Sequence, residues 1–490
     1  MSQPPSKRSP FKTTAPASPR TADSESTPPT IALVIARSES QPHRVGEVAH
    51  LQFGERLLVG RGEVEAEYAY FAPQRPGQAP VARDQAEPLE GDAISRRQLV
   101  VRAVGTKLQL EKVGRCPTFV NDVEVEGSAT LVPGDTVLLQ GELLLLAVLR
   151  PRILPGPSDA GEIHPFGEAD ADKIVGESPA AWSLRAQLAK VGPTDDHVLL
   201  RGESGSGKEL AAAVVHRRSK RAKGPLVSCN AAAFTPTLLA SELFGNPANY
   251  PNAGLPARKG LVGTAHRGTF FLDEIGELPR DAQAQLLRVL DEGEYRPVGE
   301  ATAQRADFRL VGATNQDDSH FRDDFRARFQ VCVRIPPLRE RREDIPLLVR
   351  HLLLERVRKY PELADRLLMK TSDGRLEPKI SARLVDYLVR HPLPTNVRQL
   401  RTILIEAINT SPSDKLTLPA EMMSAPPAAP AQPPPAAEAR SRPAAPSKQD
   451  LEALLHREGW NVARVTKILG FSRSALYRLM DSYGIEREKK

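Results

Sequence analysis

The chain has 490 residues, 40% of them hydrophobic, and a formal net charge of +6, which is compatible with two to four domains and permits nucleic-acid binding. Even the apolar stretch 138–149 is interrupted by Gln140, Gly141 and Glu142, so no membrane span is predicted. The tail before Thr30 lacks the apolar segment of a secretory signal, and the three cysteines have no metal-ligand spacing; we therefore predict reduced thiols and a cytoplasmic protein.

Prolines mark the predicted boundaries between domains. The 44 prolines are unevenly placed and cluster in the first thirty residues and in the stretch from Ala425 to Pro446, a composition typical of extended, solvated segments. The prediction is a disordered tail over 1–30, linkers over 151–172 and 424–446, and domains over 31–150, 173–423 and 447–490.

Short β-rich runs separated by Gly, Pro and Asp turns fill the first predicted domain. Many short strands with such punctuation predict a β-sandwich. The alternating strand and helix pattern of a receiver domain is missing. The runs are 31–35, 56–59, 98–101, 107–110 and 136–139.

This domain resembles the forkhead-associated (FHA) fold, which binds phosphothreonine peptides. The matching segments are Gly60-Arg61, Ile94-Ser95-Arg96-Arg97, residues 118–121 and residues 131–135. The resemblance implies that Arg61 and Ser95 hold the phosphate and that Asn121 holds the peptide backbone. It also implies a phosphothreonine protein or a Ser/Thr kinase as partner.

Two positions depart from the FHA pattern. Gln98 stands where the family usually has a structural His, and Asp122 where it usually has Gly after the Asn. The alternative is therefore a sandwich that has lost peptide binding and serves self-association.

A glycine-rich turn follows the apolar run 198–200 and leads into helix-forming residues. It reads Gly202-Glu203-Ser204-Gly205-Ser206-Gly207-Lys208. Strand, turn and helix in this order predict a phosphate-binding loop, whose N–H groups and helix N-terminus face a triphosphate while Lys208 supplies a cation. A flexible surface turn is the alternative, which a second nucleotide element downstream disfavours.

That second element is the apolar run 269–272, which ends in Asp273 and Glu274. We predict that Asp273 holds Mg²⁺ through water and that Glu274 acts on the water that attacks the phosphate. Glu209 stands where a generic phosphate-binding loop has Ser or Thr, so the metal is expected to depend more on Asp273 and water. The expected cofactors are ATP and Mg²⁺.

With these motifs, residues from about Ile174 to Leu418 resemble the AAA+ module of bacterial enhancer-binding, sigma-54-dependent transcription activators. The resemblance implies a switch asparagine, Asn230, that pairs with Glu274. It places Asn315 at the sensor I position and Arg398 at sensor II, beside the nucleotide. The motifs that carry the match are residues 202–209, 241–245, 272–278, 336–341 and 396–400.

The same resemblance identifies Arg322 and Arg328 as arginine fingers, which reach the γ-phosphate bound by a neighbouring subunit. Such arginines stabilise charge in the transition state. A finger supplied by the next subunit implies a ring, which in this family is usually a hexamer. Arg326 has no counterpart in the motif and is interpreted as a solvated helix charge.

The loop that contacts sigma-54 in this family departs from its usual sequence, Gly-Ala-Phe-Thr-Gly-Ala. Its length is kept, but Pro251 and Asn252 replace the Phe and Thr, and Tyr250 lies one residue early. Proline fixes φ and removes a donor, so we expect a stiffer loop. Our hypothesis is that hydrolysis is intact while the contact with sigma-54 is weak, altered or provided by a partner subunit in a mixed ring. The loop here reads Asn249-Tyr250-Pro251-Asn252-Ala253-Gly254.

Beyond the second linker, residues 462–469 and 471–480 form two short amphipathic segments on either side of Gly470. This pattern predicts a helix-turn-helix, and the region resembles the Fis-type DNA-binding domain. A plain three-helix packing module is the alternative. The residues expected to meet base edges and phosphates are Arg473, Ser474, Tyr477 and Arg478.

The predicted protein is multidomain, with a β-sandwich, a central α/β P-loop ATPase with a helical lid, and an all-α helix-turn-helix. Its predicted function is ATP hydrolysis in a ring that remodels the sigma-54 RNA polymerase holoenzyme from an upstream DNA site. The alternative is a DNA-binding repressor or mixed-ring co-regulator that no longer contacts sigma-54. A proteolytic or replication AAA+ machine is disfavoured by the Fis-like terminus and by the context of residues 241–245.

Overall fold

A computed structural model describes most of the chain up to residue 423 and nine separate positions between 451 and 485. Contacts divide the chain into residues 1–427 and 428–490, and the two units are described separately. Among the described residues, no helix is both long and apolar enough to cross a membrane. The described ranges are 29–52, 54–62, 67–78, 81–154, 164–250, 254, 256–371, 374–412 and 414–423.

Residues 30–150, here called the β-domain, form two antiparallel sheets that share one apolar core. One sheet has the order β2-β1-β10-β9-β6-β7 and the other the order β3-β4-β5-β8. The strands are β1 (Thr30–Ser38), β2 (Val48–His50), β3 (Arg56–Val59), β4 (Leu99–Val104), β5 (Lys107–Lys112), β6 (Thr118–Val120), β7 (Val123–Glu124), β8 (Ser128–Leu131), β9 (Thr136–Leu139) and β10 (Leu143–Arg150).

The predicted ATPase domain contains a parallel sheet of order β12-β13-β16-β11-β17. Strand β16 is buried at all of its positions, as expected for a parallel sheet covered by helices on both faces. The elements are α1 (Pro179–Val191), β11 (Val198–Arg201), α2 (Lys208–Arg217), β12 (Leu226–Asn230), α3 (Pro236–Phe244), α4 (Leu261–Thr264), β13 (Thr269–Asp273), α5 (Arg280–Glu292), β14 (Glu294–Tyr295), β15 (Gln304–Arg305), β16 (Arg309–Thr314), α6 (Asp323–Arg326) and β17 (Val331–Arg334).

A mainly helical lid follows, in which α9 begins at a cap: the Ser381 hydroxyl accepts a hydrogen bond from the N–H of Leu384. Its apolar face belongs to a cluster that also contains Leu144 and Leu146 of β10. The lid and the β-domain therefore share a core. The lid elements are α7 (Ile345–Lys359), α8 (Ala364–Leu367), β18 (Leu368–Lys370), β19 (Leu376–Pro378), α9 (Ala382–Arg390), α10 (Asn396–Thr410) and α11 (Ala420–Met423).

In the second unit, the described side chains form a small apolar core, against which Trp460 and Tyr483 pack. Six of the described positions are helical: 451, 455, 456, 465, 476 and 480. The helix-turn-helix stays a prediction, since its proposed DNA-contacting residues, Arg473, Ser474, Tyr477 and Arg478, lie outside the described residues. The core residues are Leu451, Leu455, Val465, Leu476, Met480 and Ile485.

Candidate nucleotide site

The glycine-rich turn joins strand β11 to helix α2, as the sequence predicts. Gly207 precedes the helix with φ +108° and Gly205 has φ +70°, conformations that glycine adopts without a steric cost. The Lys208 side chain is largely buried and donates from Nζ to the carbonyl of Gly202 at 3.0 Å. The cation is therefore held at the loop where phosphates would bind.

Asp273 and Glu274 lie at the carboxyl end of β13, next to this loop. Glu274 Oε1 is 3.9 Å from Lys208 Nζ, and the Glu274 N–H donates to Asp273 Oδ1 at 3.0 Å. Glu274 has φ +48°, a left-handed conformation that is rare for Glu and concentrates at functional sites. The structure thus brings the predicted water-activating and metal-binding carboxylates to the phosphate-binding loop.

Asn230 ends the neighbouring strand β12, where it pairs in register with Asp273. Its side-chain oxygen accepts a hydrogen bond from the N–H of Ala232 at 2.9 Å and caps the next turn. Asn230 therefore stands at the same edge of the sheet, and its pairing with Glu274 stays a prediction.

Asn315 directly follows β16, the strand between β13 and β11. Its predecessor Thr314 accepts a hydrogen bond from the N–H of Gly202 at 3.2 Å. The side chain of Asn315 is exposed, and its role as a sensor of bound phosphates stays a prediction.

The lid contacts the phosphate-binding loop through the start of α10. Arg398 donates to the Ser204 hydroxyl at 3.0 Å, and the N–H of Val397 donates to the carbonyl of Gly205 at 3.1 Å. A Cβ on Gly205 would come 2.3 Å from the carbonyl oxygen of Thr395. The glycine thus permits the close approach of the lid.

Asn396 makes a contact that the sequence motif did not assign. Its side chain is buried, accepts a hydrogen bond from the N–H of Leu338 at 2.7 Å, and donates to the carbonyl of Ser204 at 3.0 Å. It also donates to Glu203 Oε2 at 3.2 Å. Burial raises the pKa of Glu203, but hydrogen bonds from Arg339 and Asn396 outweigh that effect and hold the pKa below its usual value.

These elements enclose a cavity of about 560 Å³. Apolar side chains of α1, including Leu184 and Leu188, line it together with the phosphate-binding loop, a combination that suits a nucleobase and its phosphates. Mg²⁺ prefers oxygen ligands and is commonly held by one or two carboxylates with substrate phosphates. Asp273 and Glu274 supply such oxygens at the cavity wall. Glu209, the second residue of α2, also lines the cavity, with its side chain exposed.

Arg341 is a further cavity residue without an assigned role in the sequence analysis. It is buried, donates to the carbonyl of Ser206 at 3.3 Å, and burial lowers its pKa. Its place in the run 336–341 was visible in the sequence. Its contact with the phosphate-binding loop forms only because the chain that follows β17 returns to that loop, which the sequence does not show.

The two predicted arginine fingers lie on the surface, outside the described lining of this cavity. Arg322 pairs with Asp324 at 2.8 Å and Arg328 with Asp291 at 2.9 Å, and both side chains are exposed. In a single chain these guanidinium groups are therefore apart from the phosphate-binding loop.

The residues that are predicted to bind phosphothreonine divide into two groups. Arg61 is exposed and pairs with Asp92 at 3.3 Å; the N–H of Arg61 donates to the carbonyl of Ser95 at 3.1 Å. The Ser95 hydroxyl accepts from the N–H of Arg115 at 3.0 Å. Asn121 instead uses its side chain internally, donating to Asp135 at 2.8 Å.

Gln98, the first departure from the FHA pattern, is fully buried beneath these loops. It accepts from the N–H groups of Ser95 at 3.4 Å and Cys116 at 3.2 Å, and it donates to the carbonyl of Cys116 at 2.9 Å. The glutamine therefore ties together the loops that carry the predicted phosphate ligands.

The altered loop is described only in part, since Pro251, Asn252 and Ala253 lie outside the described residues. Asn249 has φ +63°, and its side chain accepts from the N–H of Gly254 at 2.8 Å. A Cβ on Gly299 would come 2.7 Å from the ring of Tyr250, so the aromatic ring covers Gly299.

Comparison with known families gives two matches along the chain. Residues 174–337 match the family described as "Sigma-54 interaction domain", and residues 339–434 match the "AAA+ ATPase lid domain". The two matches meet at the start of the 3₁₀ turns that lead into the lid.

Several regulators are similar to this chain. The nitrogen assimilation regulatory protein NtrX of Azorhizobium caulinodans is 35% identical over 330 residues, which cover 64% of this chain and 69% of that protein. The acetoin catabolism regulatory protein of Cupriavidus necator is 36% identical over 366 residues, covering 71% of this chain and 52% of that protein. The chain also spans 51% of the NtrC regulator of Bradyrhizobium sp., which is 39% identical over 258 residues, so it spans about half the length of the last two relatives.

Among solved structures, NtrX from Brucella abortus in complex with ADP is 33% identical, covers 64% of this chain and 70% of its own, and has a TM-score of 0.45. The same protein in complex with ATP has a TM-score of 0.43 at the same identity.

Proposed function

The chain belongs to the sigma-54 interaction family of AAA+ ATPases, and from this membership we propose that it couples ATP hydrolysis in a ring of subunits to the control of transcription by sigma-54 RNA polymerase. ATP is the nucleotide of such a module and Mg²⁺ its usual ion. Its relatives carry the names of regulators, and the coupling to transcription is our proposal for this chain.

The observation that supports the proposed ring is that both predicted arginine fingers lie outside the described lining of the nucleotide cavity of their own chain. Lys208, Glu274 and Arg398 surround the cavity, while Arg322 and Arg328 are exposed and outside its described lining. A neighbouring subunit that presents these two arginines would complete the site.

In the proposed reaction the loop N–H groups and the N-terminus of α2 bind the phosphates, and Lys208 neutralises their charge. Mg²⁺, when bound, would neutralise further charge on the phosphate oxygens. Glu274 orients the attacking water from the end of β13, and Asn315 and Arg398 contact the terminal phosphate. Arginine fingers from the next subunit stabilise charge in the transition state, an effect worth ~10³-fold or more in rate.

The proposed input is a phosphothreonine peptide bound by an FHA-like β-domain. Arg61 and Ser95 are exposed or half-buried on neighbouring loops, and a Cβ on Gly60 would come 2.0 Å from the carbonyl oxygen of Arg96. Gln98 supports the same loops from below. The proposed output end is the Fis-like DNA-binding region over 447–490, which tethers the ring to a site upstream of the promoter.

The loop over residues 249–254 favours a second candidate function, a mixed-ring co-regulator or repressor that binds sigma-54 poorly by itself. Its sequence lacks the Phe and Thr of the usual loop. Pro251 would also restrict the motion that presents such a loop.

The experiment is to trap the full chain with ADP and aluminium fluoride and to measure co-migration with sigma-54. A matched variant has residues 249–254 changed to Gly-Ala-Phe-Thr-Gly-Ala. We expect weak co-migration of the natural chain and strong co-migration of the variant. Strong binding and open-complex formation by the natural chain alone would make it an ordinary activator. If neither version binds sigma-54 or changes transcription from a sigma-54 promoter, the proposed control of sigma-54 fails.

A further inference from the structure

Asp122, at the tip of the β6–β7 hairpin, contacts the ATPase lid. Its carboxylate pairs with Arg390 at the end of α9, 268 positions further along the chain. The Arg390 side chain is only 6% exposed, so the carboxylate of Asp122 pairs with a buried cation. Asp122 has φ +67°, a left-handed conformation that Asp tolerates better than most residues.

The residues around Asp122 lie in the same contact. Asn121 accepts a hydrogen bond from the N–H of Thr136 at 3.0 Å, and Thr136 lies against Asp386 of α9. Asp386 is also 3.4 Å from Arg390. The corner formed by Asn121, Asp122 and Thr136, here called the hairpin corner, therefore faces two buried charges of the lid.

Apolar residues extend this contact along the six-stranded sheet. Leu143 and Leu145 of β10 belong to the core of the β-domain, whereas Leu144 and Leu146 belong to the cluster shared with the lid. Both faces of the strand are thus covered. A strand buried on both faces requires a continuous apolar run, which is what β10 contains.

Polar contacts also join the two sides of this interface. Lys415 pairs with Glu39 at 2.7 Å, and Arg37 donates to the carbonyl of Ile380 at 3.3 Å. Arg150 pairs with Glu343 at 2.6 Å, and both side chains are buried. Buried pairs of this kind are costly to break on one side only.

The lid also contacts the phosphate-binding loop, through Asn396 and Arg398 of α10. Helices α9 and α10 pack in one apolar cluster, to which Leu388 and Leu400 belong. The β-domain and the phosphate-binding loop therefore both contact the same helical lid.

We propose that the hairpin corner is a docking surface for lid helix α9, and that a phosphopeptide bound across Asn121 must release Arg390 from Asp122. The release step rests on the proposed phosphothreonine input. Because the peptide and the lid then compete for one surface, the coupling is reciprocal: bound peptide weakens docking by the same factor by which docking weakens peptide binding. A variant that weakens docking must therefore bind the peptide more tightly.

The test uses the full chain and two variants that weaken docking in different ways. Asp122→Gly removes the carboxylate at a positive φ that glycine accepts, so the hairpin itself is not strained. Arg390→Ala removes the cation from the lid side. The matched controls are Glu124→Ala on the same hairpin and Arg383→Ala on the same helix, both of which change exposed side chains.

The first readout is hydrogen exchange without peptide, followed in segments 118–124 and 382–390. We expect both docking variants to exchange faster there than the natural chain and both controls to match it. Protection equal to that of the natural chain in both docking variants would overturn the docking surface.

The second readout is calorimetric binding of a phosphothreonine peptide and its unphosphorylated twin. We expect the docking variants to bind the phosphopeptide about fivefold or more tightly than the natural chain, at the low end of typical coupling between sites. Faster exchange with unchanged affinity would overturn competition but keep docking. If no version, including the docking variants, distinguishes the two peptides, the proposed phosphothreonine input and the release step fail together, and hydrogen exchange alone decides the docking surface.

Discussion

Asn396 shows at the scale of one residue how the lid and the phosphate-binding loop are joined. It has φ +53° and three side-chain hydrogen bonds, to Leu338, Ser204 and Glu203. Asn is one of the few residues that adopts this backbone conformation readily. The residue therefore both adopts the left-handed backbone conformation at the start of α10 and links the lid to the phosphate-binding loop through its side chain.

Two substitutions separate these contributions. Asn396→Gly keeps the backbone conformation and removes the hydrogen bonds, which we expect to cost about 1–3 kcal/mol of stability because a buried N–H of Leu338 loses its acceptor. Asn396→Ala adds the cost of a positive φ, roughly 1 kcal/mol more. Urea midpoints measure the stability, and titration with ATP should show weaker binding in both variants.

Thr402→Ala, an exposed change on the same helix, is the control and should behave like the natural chain. Equal stability and equal ATP affinity of Asn396→Gly and the natural chain would show that the bridge does not position the loop.

The sequence predicted the glycine-rich turn and both carboxylates of the site because these lie in contiguous motifs. It could not place Asn396 or Arg341, whose contacts with the loop join positions more than 130 residues apart. Nor did it reveal the contact of Asp122, since a departure from a family pattern is visible in sequence while its partner, Arg390, is not.

At the scale of the secondary structure elements, the short β-rich runs separated by turn residues predicted strands where β1, β3, β4, β5 and β9 lie. The apolar run of β10 carried a further signal. A half-exposed antiparallel strand alternates apolar and polar residues, and residues 143–148 do not. The alternation is missing because the lid covers the outer face of the strand. The lid belongs to a domain that is predicted separately from the β-domain, so the sequence did not indicate this contact.

Helix α9 contains a titratable group that should make stability depend on pH. Burial raises the pKa of Asp386 to about 6, although Arg390 and the Thr136 hydroxyl favour its charged form and Asp122 opposes it. Since the folded-state pKa lies above the unfolded value, the folded chain binds this proton more tightly. The penalty for the charged form therefore grows as pH rises from about 4 to 6 and is fully present at neutral pH.

Asp386→Asn mimics the protonated carboxyl at every pH. We expect it to be more stable than the natural chain at pH 7.5, by at most about 3 kcal/mol, and close to it at pH 4.5. Urea midpoints of both proteins are measured across this pH range. The difference in stability between the two proteins at each pH removes the contribution of groups that titrate in both. A variant that is less stable at pH 7.5 would mean that the ion pair with Arg390 outweighs the cost of burial.

At the scale of the whole molecule, the lid is the part that contacts both the β-domain and the phosphate-binding loop. The β-domain contacts it through Asp122, Glu39 and Arg37, and the phosphate-binding loop contacts it through Asn396. Because both sets of contacts involve the lid, we expect a change in one of them to affect the other. The nucleotide state and the input ligand are thereby expected to influence each other's binding.

We propose that one subunit's nucleotide site is completed by the next subunit's arginines. Lys208→Ala should fail to bind ATP but keep its fingers, whereas Arg328→Ala should bind ATP and lose hydrolysis by ~10³-fold or more. Arg326→Ala is the matched control, because Arg326 pairs with Asp318 on the same segment and should leave the rate unchanged.

The direct measurement is the ATPase rate of Lys208→Ala and Arg328→Ala, each alone and mixed in equal amounts. We predict that each variant alone is inactive and that the mixture recovers a clear fraction of the natural rate, since some sites then combine an intact loop with a neighbouring finger. A mixture as inert as its components, with the natural chain active and with mixed rings shown to form, would contradict the account.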